Sequence, residues 1–156
     1  MPVSCLRFFT VYGPWGRPDM AVHIFTKKII EKTKINIFNN GKNYRDFTYV
    51  TDIVSGIYLL IKKRFNSKKR KKIFEVYNFG NNKSLNILRI VKIIEKETNV
   101  KANINYCSKQ VADMTRTSAK ILKAKKKIGY NPKIGIEIGI KKFVRWYQEY
   151  YKKNNI

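Results

Sequence analysis

An α/β fold is predicted for this 156-residue chain by three observations. Short β-prone runs alternate with amphipathic helical stretches along its length. Clusters of Gly, Pro and Asn punctuate the joints between them. Hydrophobic residues make up 44% and aromatic residues 13%, enough for a core. At this length one domain buries roughly 68–70% of its unfolded surface.

Each element has a local reason. Residues 3–9 are apolar and β-prone, and Gly13-Pro14 breaks the chain soon after them, so a buried strand leads into a loop over 10–20. Val22, Phe25, Ile29 and Ile30 recur at helical spacing within 21–33, with Lys on the other face. Ile35-Asn36-Ile37-Phe38 alternates as a strand does, and Asn39-Asn40-Gly41-Lys42 is a turn. A strand is predicted over 47–50, with Thr51 or Asp52 capping a helix to about Lys63. Residues 65–72 read as a polar basic loop, and 74–79 as a strand closed by Gly80-Asn81-Asn82. Ser84 can cap a helix over 85–98, whose Leu85, Leu88, Val91 and Ile94 share one face. A strand over 102–106, a helix over 119–128 ended by Gly129, and a helix over 136–152 complete the chain. No internal repeat and no linker divides it.

Several function classes are excluded. His23 is the single histidine, which leaves no multi-His metal site and no Ser-His-Asp triad. Cys5 and Cys107 are far apart and outside any CxxC pattern, which fits a reducing cytoplasm and gives no zinc site. The longest apolar run, 53–61, is nine residues, where a membrane span needs about 20. Lys and Arg number 34 against 10 Asp and Glu, a net charge of +24, which brings nucleic acid forward as a partner. Lys, Ile and Asn, all with A/T-rich codons, fill 62 of the 156 positions, so codon bias raises Lys without a functional demand. The run Lys68-Lys69-Arg70-Lys71-Lys72 has no interleaved aromatic residues, so it reads as a solvated loop and offers no stacking platform for bases.

The most unusual segment is Leu6-Arg7-Phe8-Phe9-Thr10-Val11-Tyr12-Gly13-Pro14-Trp15-Gly16-Arg17-Pro18-Asp19-Met20-Ala21. It packs Gly, Pro, Trp, Tyr and Arg at the end of a buried strand, where open α/β sheets bind ligands. This segment resembles the nucleotide-sugar epimerases of the extended short-chain dehydrogenase/reductase family, in the UDP-glucuronate 4-epimerase branch. Three further blocks are similar to that family: Arg45-Asp46-Phe47-Thr48-Tyr49, Tyr77-Asn78-Phe79-Gly80, and Gly129-Tyr130-Asn131-Pro132 with Phe143-Val144-Arg145-Trp146-Tyr147 after it. Their order holds over essentially the whole chain.

The resemblance implies the last strands of a Rossmann-type parallel sheet plus a small α/β nucleotide-sugar-binding domain, the whole of 1–156 being the C-terminal portion of such an enzyme. Its NAD would be held mainly by an N-terminal half, with a Gly-rich fingerprint and a catalytic Tyr-x-x-x-Lys. Neither form of that fingerprint, G-x-x-G-x-x-G or G-x-G-x-x-G, occurs here, and the one Tyr-x-x-x-Lys, Tyr58 to Lys62, sits in an apolar packing helix out of the family's order. The expectation is therefore no catalytic residue in this chain and no turnover alone, with a separately encoded half as one possible partner. Relatives of full length are implied to be homodimers.

The same resemblance implies the site roles. The backbone at Phe8 and Val11 would border the nicotinamide carboxamide. The Thr10 hydroxyl would face the glucuronate carboxylate, and Arg17 would pair with that acid or the phosphates. Arg45 would take the pyrophosphate through its planar fork. The Asn36 and Phe38 backbone would hold uracil, and Asp113 would accept from the ribose hydroxyls. Gln110-Val111-Ala112-Asp113 departs from the family's Gln-Pro-Gly-Asp, which loosens the claim of Asp113 and Thr117 on the nucleotide. The bland counterpart for Arg45 and Asp46 is a surface ion pair with each other. For His23 it is a packing or surface position. Two rival functions stand beside the epimerase: a basic nucleic-acid-binding protein, and a non-catalytic nucleotide-sugar-binding module.

Overall fold

The computed structural model describes residues 3–65, 74–111 and 113–153. In chain order these form β1 (Val3–Phe8), β2 (Thr10–Tyr12), α1 (Ala21–Ile30), β3 (Lys34–Ile37), β4 (Tyr44–Tyr49) and α2 (Val50–Phe65). Next come β5 (Phe74–Phe79), β6 (Ser84–Asn86), α3 (Ile87–Thr98), β7 (Asn103–Tyr106), α4 (Leu122–Ile128) and α5 (Ile136–Lys153). The α/β class is as expected, and most of the pairing is parallel. β1 runs parallel to β5 with Leu6 opposite Tyr77 and Phe8 opposite Phe79. β2 runs parallel to β4 with Thr10 opposite Phe47, and β3 runs parallel to β7. β6 adds to the other edge of β4 antiparallel.

Two apolar clusters hold these elements together. The larger joins α1, α3 and α5 to β3 and β4 through Phe25, Ile29, Ile35, Ile90, Ile140 and Phe143, all buried. The smaller joins β5, α2 and α4 through Ile53, Leu60, Tyr77, Phe79, Ala124 and Tyr130. Phe79 and Tyr130 stack with ring centroids 4.6 Å apart, and the Tyr130 hydroxyl donates to the Gly80 carbonyl at 3.0 Å.

Several boundaries move for stated reasons. Ser84 does not cap α3. It lies in β6, and Asn86 caps instead, its side chain accepting from the Leu88 N–H at 2.8 Å. The helix expected over 119–128 begins only at Leu122. Ala119 is spent elsewhere, its N–H donating to the Asp46 carboxylate. The strand expected over 47–50 starts at Tyr44 and stops at Tyr49, because α2 begins at Val50. Asp52 does not cap that helix from outside. It sits in the first turn and accepts the backbone N–H groups of Lys133 and Ile134 at 3.1 and 2.9 Å, tying α2 to the segment before α5. The basic run 68–72 lies outside the described residues. Among the described residues, no helix is long and apolar enough to cross a membrane.

Candidate functional site

The chain changes sheet partners within two residues. At Phe8 it is laddered to β5, and at Thr10 it is laddered to β4. The strands diverge there, and a cavity of about 580 Å³ opens at the carboxyl ends of β1 and β5 and the amino ends of β2 and β4. Ligands in open parallel sheets settle at such a divergence. Arg7, Phe8, Phe9 and Thr10 form one wall, and Asn78 of β5, Arg45 of β4, Thr117 and Met20 form the rest. The polar groups in this lining are two guanidiniums, two hydroxyls and an amide, with no carboxylate. Phe8 is 49% exposed and gives an apolar face beside them.

Arg45 is fixed in place. Its Nη1 donates to the Tyr44 carbonyl at 2.9 Å, and its Nη2 donates to the Asp113 carboxylate. Asp113 also accepts from the Asn43 amide at 2.7 Å, and Asn43 accepts from Asn39 at 2.8 Å. A polar chain thus runs from Arg45 at the cavity to the turn after β3. A guanidinium has five N–H donors, so Arg45 keeps three for a ligand.

Asp46 faces the opposite way, because successive strand residues alternate. It is 0% exposed. Its carboxylate accepts the Asn81 N–H at 2.7 Å and the Ala119 N–H at 2.8 Å, and the Thr48 hydroxyl at 3.4 Å. Its own N–H donates to the Thr117 hydroxyl at 3.3 Å. The surface ion pair of Arg45 with Asp46 is therefore overturned. Asp46 is a buried clasp that holds the 117–119 segment against β4 and β5. Gly80 makes the approach possible, since a Cβ there would stand 2.3 Å from the Ala119 Cβ.

The residues expected at the site fall into separate places. Phe8, Thr10 and Arg45 share the cavity, and Asp113 adjoins it through Arg45. Val11 packs against the smaller core, one residue beyond the lining. Arg17 lies on the exposed loop after β2, with its Nε donating to Asp19 at 3.0 Å. Each partner favours the other's charge, raising the Arg17 pKa and lowering that of Asp19. Asn36 is exposed on β3 and accepts from the Asn105 amide at 3.0 Å. Phe38 starts the short turn after β3. Arg7, Asn78 and Met20 also line the cavity; they lie in segments the sequence singles out, but those segments assign them no site role individually. Arg7 and Asn78 are opposite each other on paired strands, which only the register reveals. Tyr58 is 63% exposed on α2, and neither it nor Lys62 lines the cavity. His23 is buried against Phe143, Tyr147 and Tyr151, which decides for packing over a surface position. Among the described residues, no cluster of three His, Cys, Asp or Glu could hold a metal ion.

The sequence pattern of the NAD dependent epimerase/dehydratase family matches residues 1–80. Protein CapI of Staphylococcus aureus is 42% identical over 98% of this chain and 49% of its own length. UDP-glucuronate 4-epimerase 4 of Arabidopsis thaliana is 43% identical over 97% of this chain and 37% of its own. The solved UDP-glucuronic acid 4-epimerase of Bacillus cereus, in complex with UDP-glucuronic acid and NAD, superposes with a TM-score of 0.85 at 32% identity. That superposition covers 97% of this chain and 46% of the solved one. The chain spans about half the length, or less, of the curated relatives it matches. The chain belongs to the NAD dependent epimerase/dehydratase family.

Proposed function

We propose that these residues are the sugar-binding portion of an NAD-dependent UDP-glucuronate 4-epimerase, which interconverts UDP-glucuronate and UDP-galacturonate through a 4-keto intermediate. The cavity where β1 parts from β2 carries this reading, because it gathers Phe8, Thr10 and Arg45 with donors and no carboxylate. An anionic, hydroxyl-rich ligand suits that lining. The half-exposed Phe8 beside the Thr10 hydroxyl fits the flat nicotinamide end of NAD. No Gly-rich turn in the sequence fits its diphosphate end. When bound, NAD supplies the hydride acceptor for the sugar carbon.

The chain's own groups then bind and orient. The backbone at Phe8 and Val11 would border the carboxamide of NAD. The Thr10 hydroxyl donates to the sugar carboxylate, and Arg17 leaves Asp19 to pair with the same anion. Arg45 offers its remaining donors to the pyrophosphate. Each Asp113 oxygen already accepts one bond and keeps a lone pair for a ribose hydroxyl. The Asn36 and Phe38 backbone flanks uracil, at the far end of the Arg45–Asp113–Asn43–Asn39 chain. No residue here is assigned the proton transfer, so activity requires a complementary portion with the Tyr-x-x-x-Lys pair, in the same or a separate polypeptide.

Calorimetric titration of the purified 156-residue chain tests the reading. UDP-glucuronate binds, Arg45→Ala weakens it by about tenfold or more, and added NAD yields no UDP-galacturonate. Turnover by these residues alone overturns the claim of inactivity. Absence of binding to any uridine nucleotide overturns the site.

A further inference from the structure

We infer that Trp15 is a positioning residue that sets where Arg17 stands on the loop between the cavity-lining Thr10 and Met20, and through Arg17 sets the preference for an acidic over a neutral sugar. This rests on the proposed uridine-nucleotide site. Trp15 occupies the third position of a turn closed by the Gly16 N–H on the Gly13 carbonyl at 3.1 Å. Its φ is +62°, in the region that a turn ordinarily fills with Gly or Asn. Among the described residues, the other non-glycine positions of positive φ are four Asn and Lys32. An indole held there is strained, and such strain persists only where the surroundings over-determine it.

The surroundings are two rings of α5. The Trp15 ring meets Trp146 at 5.4 Å and Tyr150 at 5.0 Å between centroids, edge-on at 62° and 76°. Those two rings stack on each other at 5.5 Å and 17°. Trp15 nevertheless remains 73% exposed, so core burial does not account for it. The contact instead clamps the loop. Arg17 lies two residues later and starts a second tight turn, with the Met20 N–H on the Arg17 carbonyl at 3.2 Å. Thr10 before this loop and Met20 at its end both line the cavity. The Arg17–Asp19 pair is exposed, at 75% and 60% of the two side chains, and exposed pairs are weak, so a ligand carboxylate can replace Asp19 cheaply. The clamp, rather than the pair, fixes the distance Arg17 must span.

The test uses the full chain with Trp15→Gly, which removes the ring and relieves the positive φ, and Trp15→Phe, which keeps a ring. Amide exchange is followed at Gly16 and Met20, and affinities are measured for UDP, UDP-glucose and UDP-glucuronate. Trp15→Gly is expected to speed exchange at both amides by about tenfold or more. It should also reduce a wild-type preference for UDP-glucuronate of about tenfold to about twofold or less, with UDP affinity unchanged within about twofold. Trp15→Phe should retain most of both properties. Unchanged exchange in Trp15→Gly overturns the clamp. Faster exchange with the preference intact overturns its role in specificity, as does a wild type that binds UDP without preferring the acid. A wild type that binds no uridine nucleotide sinks the proposed site, and this inference with it.

Discussion

The two halves of the core differ in how completely they are closed. The larger cluster buries seventeen residues between three helices and two sheets. The smaller buries nine between β5, α2 and α4. Around the smaller one the apolar surface continues outward. Val54, Tyr58 and Ile61 are 57%, 63% and 48% exposed along one face of α2, and Phe8 and Phe74 are exposed on β1 and β5. Among the described residues β1 is laddered to β5 only. Between Ile53 and Ile61, α2 thus carries apolar side chains on its outer face as well as its packed one. The larger cluster is the more closed of the two, although Tyr106 of β7 and Ile138 of α5 remain exposed. The smaller one keeps apolar side chains exposed at its rim, which supports the proposal of a complementary portion.

The largest expected effects test whether the closed cluster carries the stability. Phe143→Ala should cost about 3–5 kcal/mol in urea denaturation, the usual range for emptying a sealed aromatic site. Phe79→Ala removes an equally buried ring from the cluster that can relax outward, and should cost at least about 1 kcal/mol less. Equal costs would dissolve the distinction between the clusters. Next comes Asp46→Ala, which strands the buried N–H groups of Asn81 and Ala119 at about 1–3 kcal/mol each. Asp46→Asn, with one acceptor left, should recover part of that. Because the clasp holds Thr117 at the cavity wall, uridine nucleotide affinity should fall alongside.

A polar reversal of the open face sharpens the comparison from the other side. Tyr58→Glu with Ile61→Glu should change the stability of the isolated chain by no more than about 0.5 kcal/mol per site, since both side chains are exposed. Sedimentation should show less self-association, because exposed apolar patches and strand edges drive it. A loss of stability comparable to that of Phe143→Ala would mean that α2 is sealed in solution.

The same contrast explains how much of the molecule was legible in its residues. Elements that bury one periodic face were readable, as with α1 and α5. Ends were less so, because rival caps compete locally. Ser84 and Asn86 are both good caps, and only the pairing of β6 with β4 decides between them. At the site, Thr10 and Arg45 were reached through the family resemblance, Thr10 in the Gly- and Pro-containing segment and Arg45 in the Arg45-Asp46-Phe47-Thr48-Tyr49 block. The clasp at Asp46 was not, because its partners are backbone N–H groups 35 and 73 residues away. Side-chain chemistry leaves a local trace in sequence, and backbone partners at that range leave none. Arg17 was readable as a cation, but its dependence on Trp146 and Tyr150 across the fold was not.

The smallest expected effect lies inside the closed cluster and is read by pH. His23 packs on Phe143, Tyr147 and Tyr151, with Lys27 one turn away and the Tyr151 hydroxyl 3.4 Å from its Nε2. Burial first, and the Lys27 charge second, hold its pKa below the ordinary value of 6.5. The neutral ring is therefore the form the folded state prefers. Above 6.5 both states carry it neutral, and stability is unaffected. As pH falls below 6.5 the unfolded chain binds the proton first, and stability declines until the folded pKa is reached. Thermal melts from pH 7.5 down to 5 should show that decline, and His23→Gln should flatten it while leaving the melt at pH 7.5 nearly unchanged. An undiminished slope in the variant would mean that the ring is open to solvent, and that the cluster around Phe143 is less closed than its packing indicates.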